Sequence, residues 1–202
     1  MAITTFTELK SALADWLLRD DLTSVIPTFI ALAEADINRS IKHWRMETQT
    51  DLSASSQYTA LPSDFIEVVR ATVDGSRPYR LELASRGDIQ EQRMRTADSS
   101  GVPRQYAITD GNLEVYPSPG ETYTIDLEYL ARPGALSDSN ASNWILAYHP
   151  DVYLYGALMQ SAPYLRDDER LGVWVAAYKA AVDSVNADSN RGKFGATSPR
   201  IK

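Results

Sequence analysis

The sequence predicts an α+β fold: a helical bundle formed by N- and C-terminal helices, an inserted antiparallel β-rich region, and an extended C-terminal arm. Three observations predict it. Apolar side chains recur at helical spacing from Thr5 to about Trp44, and again from about Trp144 to Asp188. Between these stretches, from about Glu47 to Leu136, apolar and polar residues alternate, with Pro and Gly as punctuation. After Asp188 both periods fade and the chain turns basic. The expected division is a helical core of residues 1–46 and 143–188, a β-rich insertion over 47–142, and an arm over 189–202.

Helix one starts at Thr5, which with Glu8 has capping-box spacing; Phe6, Leu9, Leu13, Trp16 and Leu17 share its face. Arg19-Asp20-Asp21 reads as the exit turn. Thr23-Ser24 announces helix two, Pro27 sits in its first turn, and Phe29, Ile30, Ala33, Ile37, Ile41 and Trp44 form its stripe. The insertion opens with a strand over Thr48–Leu52, followed by Tyr58–Pro62 and the β-branched run Phe65–Val73. Asp74-Gly75 turns the chain, and Pro78–Leu83 gives the returning strand. Ser85–Asp88 opens a short polar helix through Arg95, and residues 96–103 read as a mobile loop. Arg104–Ile108 and Leu113–Tyr116 flank Asp110-Gly111, a hairpin pair that tolerates positive φ. In Thr122–Leu130, Tyr123, Ile125, Leu127 and Tyr129 alternate with polar residues. Ser137–Asn143 is a polar connector, and Asn143–Tyr148 makes one helical turn. Pro150 starts helix three, with Val152, Tyr155, Leu158, Met159 and Ala162 on its face, and Pro163 ends or bends it. Asp167-Asp168-Glu169 sets negative charge at the start of helix four, which carries Leu171, Trp174, Val175, Tyr178, Val182 and Val185.

Composition narrows the functional classes. A chain of 202 residues, 44% apolar and 23% charged, suits one soluble globular domain with room for a sizeable insertion. No apolar run approaches the roughly 18 residues of a membrane span, so no membrane partner is expected. The opening MAITTFTELK has no basic patch followed by an apolar stretch, so no secretory signal is expected. The absence of cysteine excludes disulfides, thiolate ligands and a Cys nucleophile, and fits synthesis in a reducing cytoplasm. The net charge of −7 is unevenly placed: residues 190–202 hold Arg191, Lys193, Arg200 and Lys202 and no acid. The body is therefore more acidic still, and it repels nucleic acid, whose binding rests on phosphate neutralisation.

Catalytic chemistry is thin. Neither a phosphate-cradling glycine loop nor a G-x-S-x-G elbow occurs. His43 and His149 stand far apart in the sequence, and a metal site would need them to converge with acids. His43 reads instead as a cation at the end of helix two and His149 as part of a helix entry. Asp20-Asp21 and Asp167–Glu169 lie in helix–helix turns, where acids cap the next helix. Trp16, Trp44, Trp144, Trp174, Tyr148, Tyr153 and Tyr155 sit at helical spacing, where aromatics serve as core or interface. No enzyme, cofactor or metal is expected. Tyr153 lies off the stripe of Val152 and Tyr155 and is the first candidate for a subunit contact. The tail reads either as a free terminus or as an arm that orders on a partner, with Phe194 and Ile201 as apolar anchors among the four cations.

Several stretches resemble the head-to-tail adaptor (connector) proteins of tailed bacteriophages. They are TFTELKSALADWLLRDDLTSVIPTFIALAEADINRSIK, LPSDFIEVVRATVDG, PRQYAITDGNLEVYPSP with TYTIDLEYLARPGALSDSNASNWIL, and HPDVYLYGALMQSAPYLRDDERLGVWVAAYKAAV. The resemblance covers residues 3 to about 188 as many moderate matches in order. It implies a virion protein at the head–tail junction, made in the bacterial host cytoplasm, and a self-assembled ring, usually twelve-fold, beneath the portal protein. The ring would extend the channel for genomic DNA without binding it specifically, and would present a platform to a tail or nozzle protein. Arg191, Lys193, Phe194, Arg200, Ile201 and Lys202 would then form a portal-docking arm. The alternative is a carbohydrate- or peptide-binding module whose β insertion carries the site.

Overall fold

The computed structural model describes residues 2–96, 100–165 and 170–194, apart from the side chains of 190–194. In chain order the first elements are α1 (Phe6–Leu17), α2 (Ile26–Ser40), a 3₁₀ turn at Trp44–Met46, β1 (Glu47–Ala54), β2 (Tyr58–Ala60) and β3 (Phe65–Val73). Then come β4 (Tyr79–Arg80), β5 (Glu82–Leu83), α3 (Arg86–Thr96), β6 (Ser100–Gly101), β7 (Gln105–Thr109), β8 (Asn112–Tyr116) and β9 (Ser118–Pro119). The last are β10 (Tyr123–Ala131), α4 (Trp144–Tyr148), α5 (Pro150–Leu165) and α6 (Leu171–Phe194). The fold is α+β, and it divides into two compact units, Met1–Arg45 with Pro133–Lys202, and Met46–Arg132.

In the helical unit, α1 begins with the expected reciprocal cap. Thr5 Oγ1 accepts the Glu8 N–H at 3.3 Å, and the Glu8 carboxylate accepts the Thr5 N–H at 3.0 Å. The helix ends at Leu18, which takes the left-handed conformation at φ 53°. Helix α2 begins differently from the sequence reading. Its N-cap is Val25, with no side-chain cap, while Thr23 Oγ1 donates to Asp20 O and the Asp21 carboxylate pairs with Arg19 at 2.6 Å. The Asp20-Asp21 capping role is thus corrected: a nearby guanidinium outcompetes the helix terminus for the carboxylate. Helix α5 packs against both α2 and α6 at Gly156, where a Cβ would lie 3.2 Å from both Ala33 Cβ and Tyr178 Cε2.

The stripe of α2 was expected to run to Trp44, but the helix stops at Ser40 and Ile41 is extended. The cause lies far along the chain. Asn186 Nδ2 donates to Ser40 O at 3.0 Å, Asn186 Oδ1 accepts the Lys42 N–H at 3.0 Å, and Ser189 Oγ accepts the Trp44 N–H at 3.0 Å. Side chains of α6 thereby replace the hydrogen bonds that another helical turn would have made. The same contacts keep α6 regular past 188, so residues 189–194 are helical where the arm was expected to begin.

In the β unit, two four-stranded sheets, β1-β10-β3-β4 and β2-β8-β7-β5, share one core. Leu52, Val73, Ile125, Leu127 and Tyr129 enter it from the first sheet, and Tyr106, Leu113 and Val115 from the second. Strand β10 alternates as expected. Asp110 (φ 48°) and Gly111 (φ 71°) close the β7–β8 hairpin. The return over Pro78–Leu83 is corrected: β4 pairs with β3, whereas β5 crosses to the other sheet and runs parallel to β7. Buried Leu81 is the pivot, its N–H donating to Ala71 O at 2.9 Å. Within the expected loop 96–103, Ser100–Gly101 pairs with Ser118–Pro119, so part of it is held as β structure.

Candidate assembly surfaces

Tyr153 does not face outward. It is 1% exposed, and its hydroxyl accepts from Asn143 Nδ2 at 2.6 Å and donates to Glu34 Oε1 at 3.2 Å. Glu34 Oε1 also accepts the Leu136 N–H at 2.7 Å, and Asn143 Nδ2 donates to Gly134 O at 2.9 Å. Burial pushes the Tyr153 phenol well above its ordinary value, with Asn143 opposing and Glu34 reinforcing. The expected subunit contact is therefore corrected: Tyr153 fastens the connector 133–143 to α2 and α5 inside its own unit. Burying a phenol is favourable only when its hydroxyl finds partners, and those partners stand 119 and 10 residues away.

Of the arm residues, Arg191, Lys193 and Phe194 have helical backbone within α6, and their side chains lie outside the described residues, as do Arg200, Ile201 and Lys202 altogether.

Two exposed clusters in the helical unit went unremarked as surfaces in the sequence. The first gathers the end of α1 with the facing ends of α5 and α6. Trp16, Leu18, Tyr164, Leu171 and Val173 are all exposed there. Trp16 stands edge-on to Tyr155 at 5.8 Å, its carbonyl accepts from Arg170, and Tyr164 stands edge-on to Phe29 at 5.6 Å. Isolated exposed apolar residues are ordinary, whereas several at neighbouring helix ends make a candidate interface. The second cluster is a stack. The Arg45 guanidinium lies 4.8 Å from the Trp44 ring and 4.5 Å from the Tyr148 ring, and both rings are exposed. Trp, Tyr and Arg are the side chains most enriched at interface hot spots.

Behind this stack lies His43, 2% exposed and stacked 4.8 Å from Trp144. Its Nδ1 accepts the Arg45 N–H at 3.1 Å. Burial lowers its pKa, Asp188 opposes that at 3.9 Å, and Arg45 and His149 add to it. His43 is therefore neutral near pH 7, and the reading of a cation on a helix dipole is corrected, because α2 has already ended at Ser40. His149 also meets the Trp144 indole, edge-on at 6.2 Å. The fold brings the two histidines to one neighbourhood, each in contact with Trp144. Among the described residues no group of three His, Asp or Glu side chains is placed to hold a metal ion.

The β unit buries a charge pair that alternation could not reveal. Glu114 accepts from Gln57 and Gln90 at 3.0 Å each and from Thr109 at 3.3 Å, with Arg93 Nε 3.6 Å away. Arg93 also donates to Ser118 Oγ and to Val115 O, both at 2.7 Å. The network ties α3 to β8. On the surface, Val69, Leu83 and Ile108 are exposed beside a shallow apolar groove lined by Phe65, Val68 and Tyr106.

A family model described as SU10 adaptor protein matches residues 4–200. No curated protein matches the chain significantly.

Proposed function

The chain belongs to the SU10 adaptor protein family, which makes it a structural adaptor of a bacteriophage, and on that premise we propose that it is a head-to-tail adaptor subunit. Its copies form a ring, twelve-fold in the expected case, between the portal and the tail, and the ring prolongs the channel for genomic DNA. Residues 195–202, with the end of α6, dock on the portal protein. A structural adaptor family implies a non-enzymatic part, and the virion is its place of work.

The observation that carries this reading is the exposed apolar end of the helical unit, built by Trp16, Leu18, Tyr164, Leu171 and Val173. A ring is made of heterologous contacts, in which two different faces of one subunit meet. An exposed apolar group on a chain with acidic balance is suited to such a face, since burial in a neighbour removes it from water at roughly 25 cal/mol per Å².

The experiment is native mass measurement of the purified chain, alone and with its portal, alongside a truncation lacking residues 195–202. The full chain is expected to assemble into one large closed species. The truncated chain should keep its circular dichroism and lose portal docking. A stable monomer that ignores the portal and instead binds glycans or peptides would overturn the reading in favour of a binding module.

A further inference from the structure

Resting on the reading of this chain as a ring subunit, we propose that its copies join through the β unit as well as through the apolar end of the helical unit. The outer edge of β1 in one copy adds as a parallel strand to the open edge of β3 in a second copy.

The first sheet has two unlike edges. Strand β1 is its last member, paired with β10 alone along Glu47–Ala54. Strand β3 is covered on its far side by β4 only at Thr72 and Val73, and by the Leu81 N–H on Ala71 O. Among the described residues no strand lies against Phe65–Arg70 on that side.

Ladder alternation says which main-chain groups are turned outward. Because Ala71 O points to Leu81, the Ala71–Leu127 pair exchanges no hydrogen bonds, and the main chain of Leu127 faces β1. Its partner Thr50 is therefore consumed by the β1–β10 ladder, as are Thr48 and Leu52, and the N–H and C=O of Gln49 and Asp51 face away from the sheet. On β3, register shifts fall at Val69 and at Ile66. Each leaves an extra residue outside the β10 ladder. Both edges thus offer unsatisfied main-chain groups over about five residues, the requirement for strand addition.

Charge fixes the occupant and the register. Strands β1 and β3 are each antiparallel to β10, so they run the same way. A neighbour's β1 laid along β3 in the continuing sheet direction brings Asp51 to the end of the open edge, where Arg80 stands opposite Thr72. Neither Asp51 nor Arg80 forms an ion pair among the described residues. The same placement sets the neighbour's Thr48 and Thr50 over the groove beside Leu83, itself 71% exposed. Because the two edges differ, the contact is heterologous and repeats from copy to copy until it closes.

Proline discriminates, because at Gln49 and Asp51 it removes no ladder bond within the chain yet blocks an added strand. Gln49→Pro and Asp51→Pro are expected to keep the circular dichroism and to lose ring formation, read by mass. Asp51→Arg and Arg80→Asp are each expected to raise the assembly concentration about tenfold, with the double exchange restoring it. In wild-type rings the Gln49 and Asp51 amides should exchange hydrogen far more slowly than in the monomer, a measurement that stands even if the proline variants misfold. A chain that never assembles, alone or with its portal, overturns the ring reading and this pairing together. Rings whose Gln49 and Asp51 amides exchange as in the monomer, and which tolerate both charge reversals, overturn the pairing alone.

Discussion

Arg93 and Glu114 lie buried together in the β unit, Nε 3.6 Å from Oε1, at 7% and 0% exposure. Neither side chain belongs to a hydrophobic core by type. Each is there because the other, with Gln57, Gln90, Thr109, Ser118 and the Val115 carbonyl, supplies what water would have supplied.

Removing one partner strands the other. Arg93→Met should cost about 3 kcal/mol, because an uncompensated buried carboxylate remains. Adding Glu114→Gln to that variant should recover part of the loss. All four tryptophans stand in the helical unit, so stability is followed for the β unit by hydrogen exchange of its strand amides and for the helical unit by Trp fluorescence in urea. The loss is expected in the first signal.

At Gly156, α5 lies close against both α2 and α6. In Gly156→Ala the new methyl meets Ala33 and Tyr178 at 3.2 Å, tighter than ordinary contact. Overpacking costs ~1–3 kcal/mol, and the gain in helix propensity returns up to ~1 kcal/mol. A net loss of about 1 kcal/mol is expected, read from urea midpoints by Trp fluorescence. A variant as stable as the parent would mean that α2 and α6 give way freely.

Acid should loosen the helical unit through His43. Its folded pKa lies below the ordinary 6.5, so the unfolded chain takes up the proton first. Its contribution is complete above about pH 6.5 and is lost as pH falls through the lowered folded pKa. Protonation would also break the Nδ1 acceptor bond from the Arg45 N–H. Glu34 acts with the opposite sign: burial raises its pKa, so its contribution is complete below the ordinary value and fades as pH rises through the raised one. From pH 8 to pH 5 the stability of wild type should therefore drop relative to that of His43→Gln. Equal slopes in the two proteins would remove His43 from the account.

Leu18 is 85% exposed and sits at φ 53°, a conformation that glycine adopts without strain. A left-handed leucine costs ~1–2 kcal/mol, of which the unfolded-state freedom of glycine takes back roughly 0.4–1 kcal/mol. Leu18→Gly is expected to leave the monomer as stable or up to about 1 kcal/mol more stable, and to weaken assembly. Thermal melts and native mass measurement read the two effects separately. Unchanged assembly would show that Leu18 contributes nothing to the apolar end.

The legible parts of the chain were those with local causes. The Thr5–Glu8 cap, the Asp110-Gly111 turn and the alternation of β10 are each written within a few residues, because the groups that satisfy one another are neighbours along the chain. The end of α2 was not legible. Ile41 is buried and falls on the helical period, yet Asn186 and Ser189 hold the main chain out of the α-helix from there to Trp44. The split of Pro78–Leu83 between two sheets was hidden for the same reason, since both halves carry strand-forming residues and only the pivot at Leu81 assigns them. Of the candidate site, sequence marked the aromatic residues but not their orientation. It turned Tyr153 outward, although Glu34 and Asn143 hold it inside.

Sequence by itself determined which segments are helical and which extended, where the caps and hairpin fall, and the order that ties this chain to its family. Those features depend on period and on neighbours in the chain. Tertiary structure alone decided which polar groups are buried, which aromatics face out, and which sheet edges stay open. Each of those outcomes depends on a hydrogen-bond partner or covering strand far away in the chain, and no local pattern encodes whether that partner arrives.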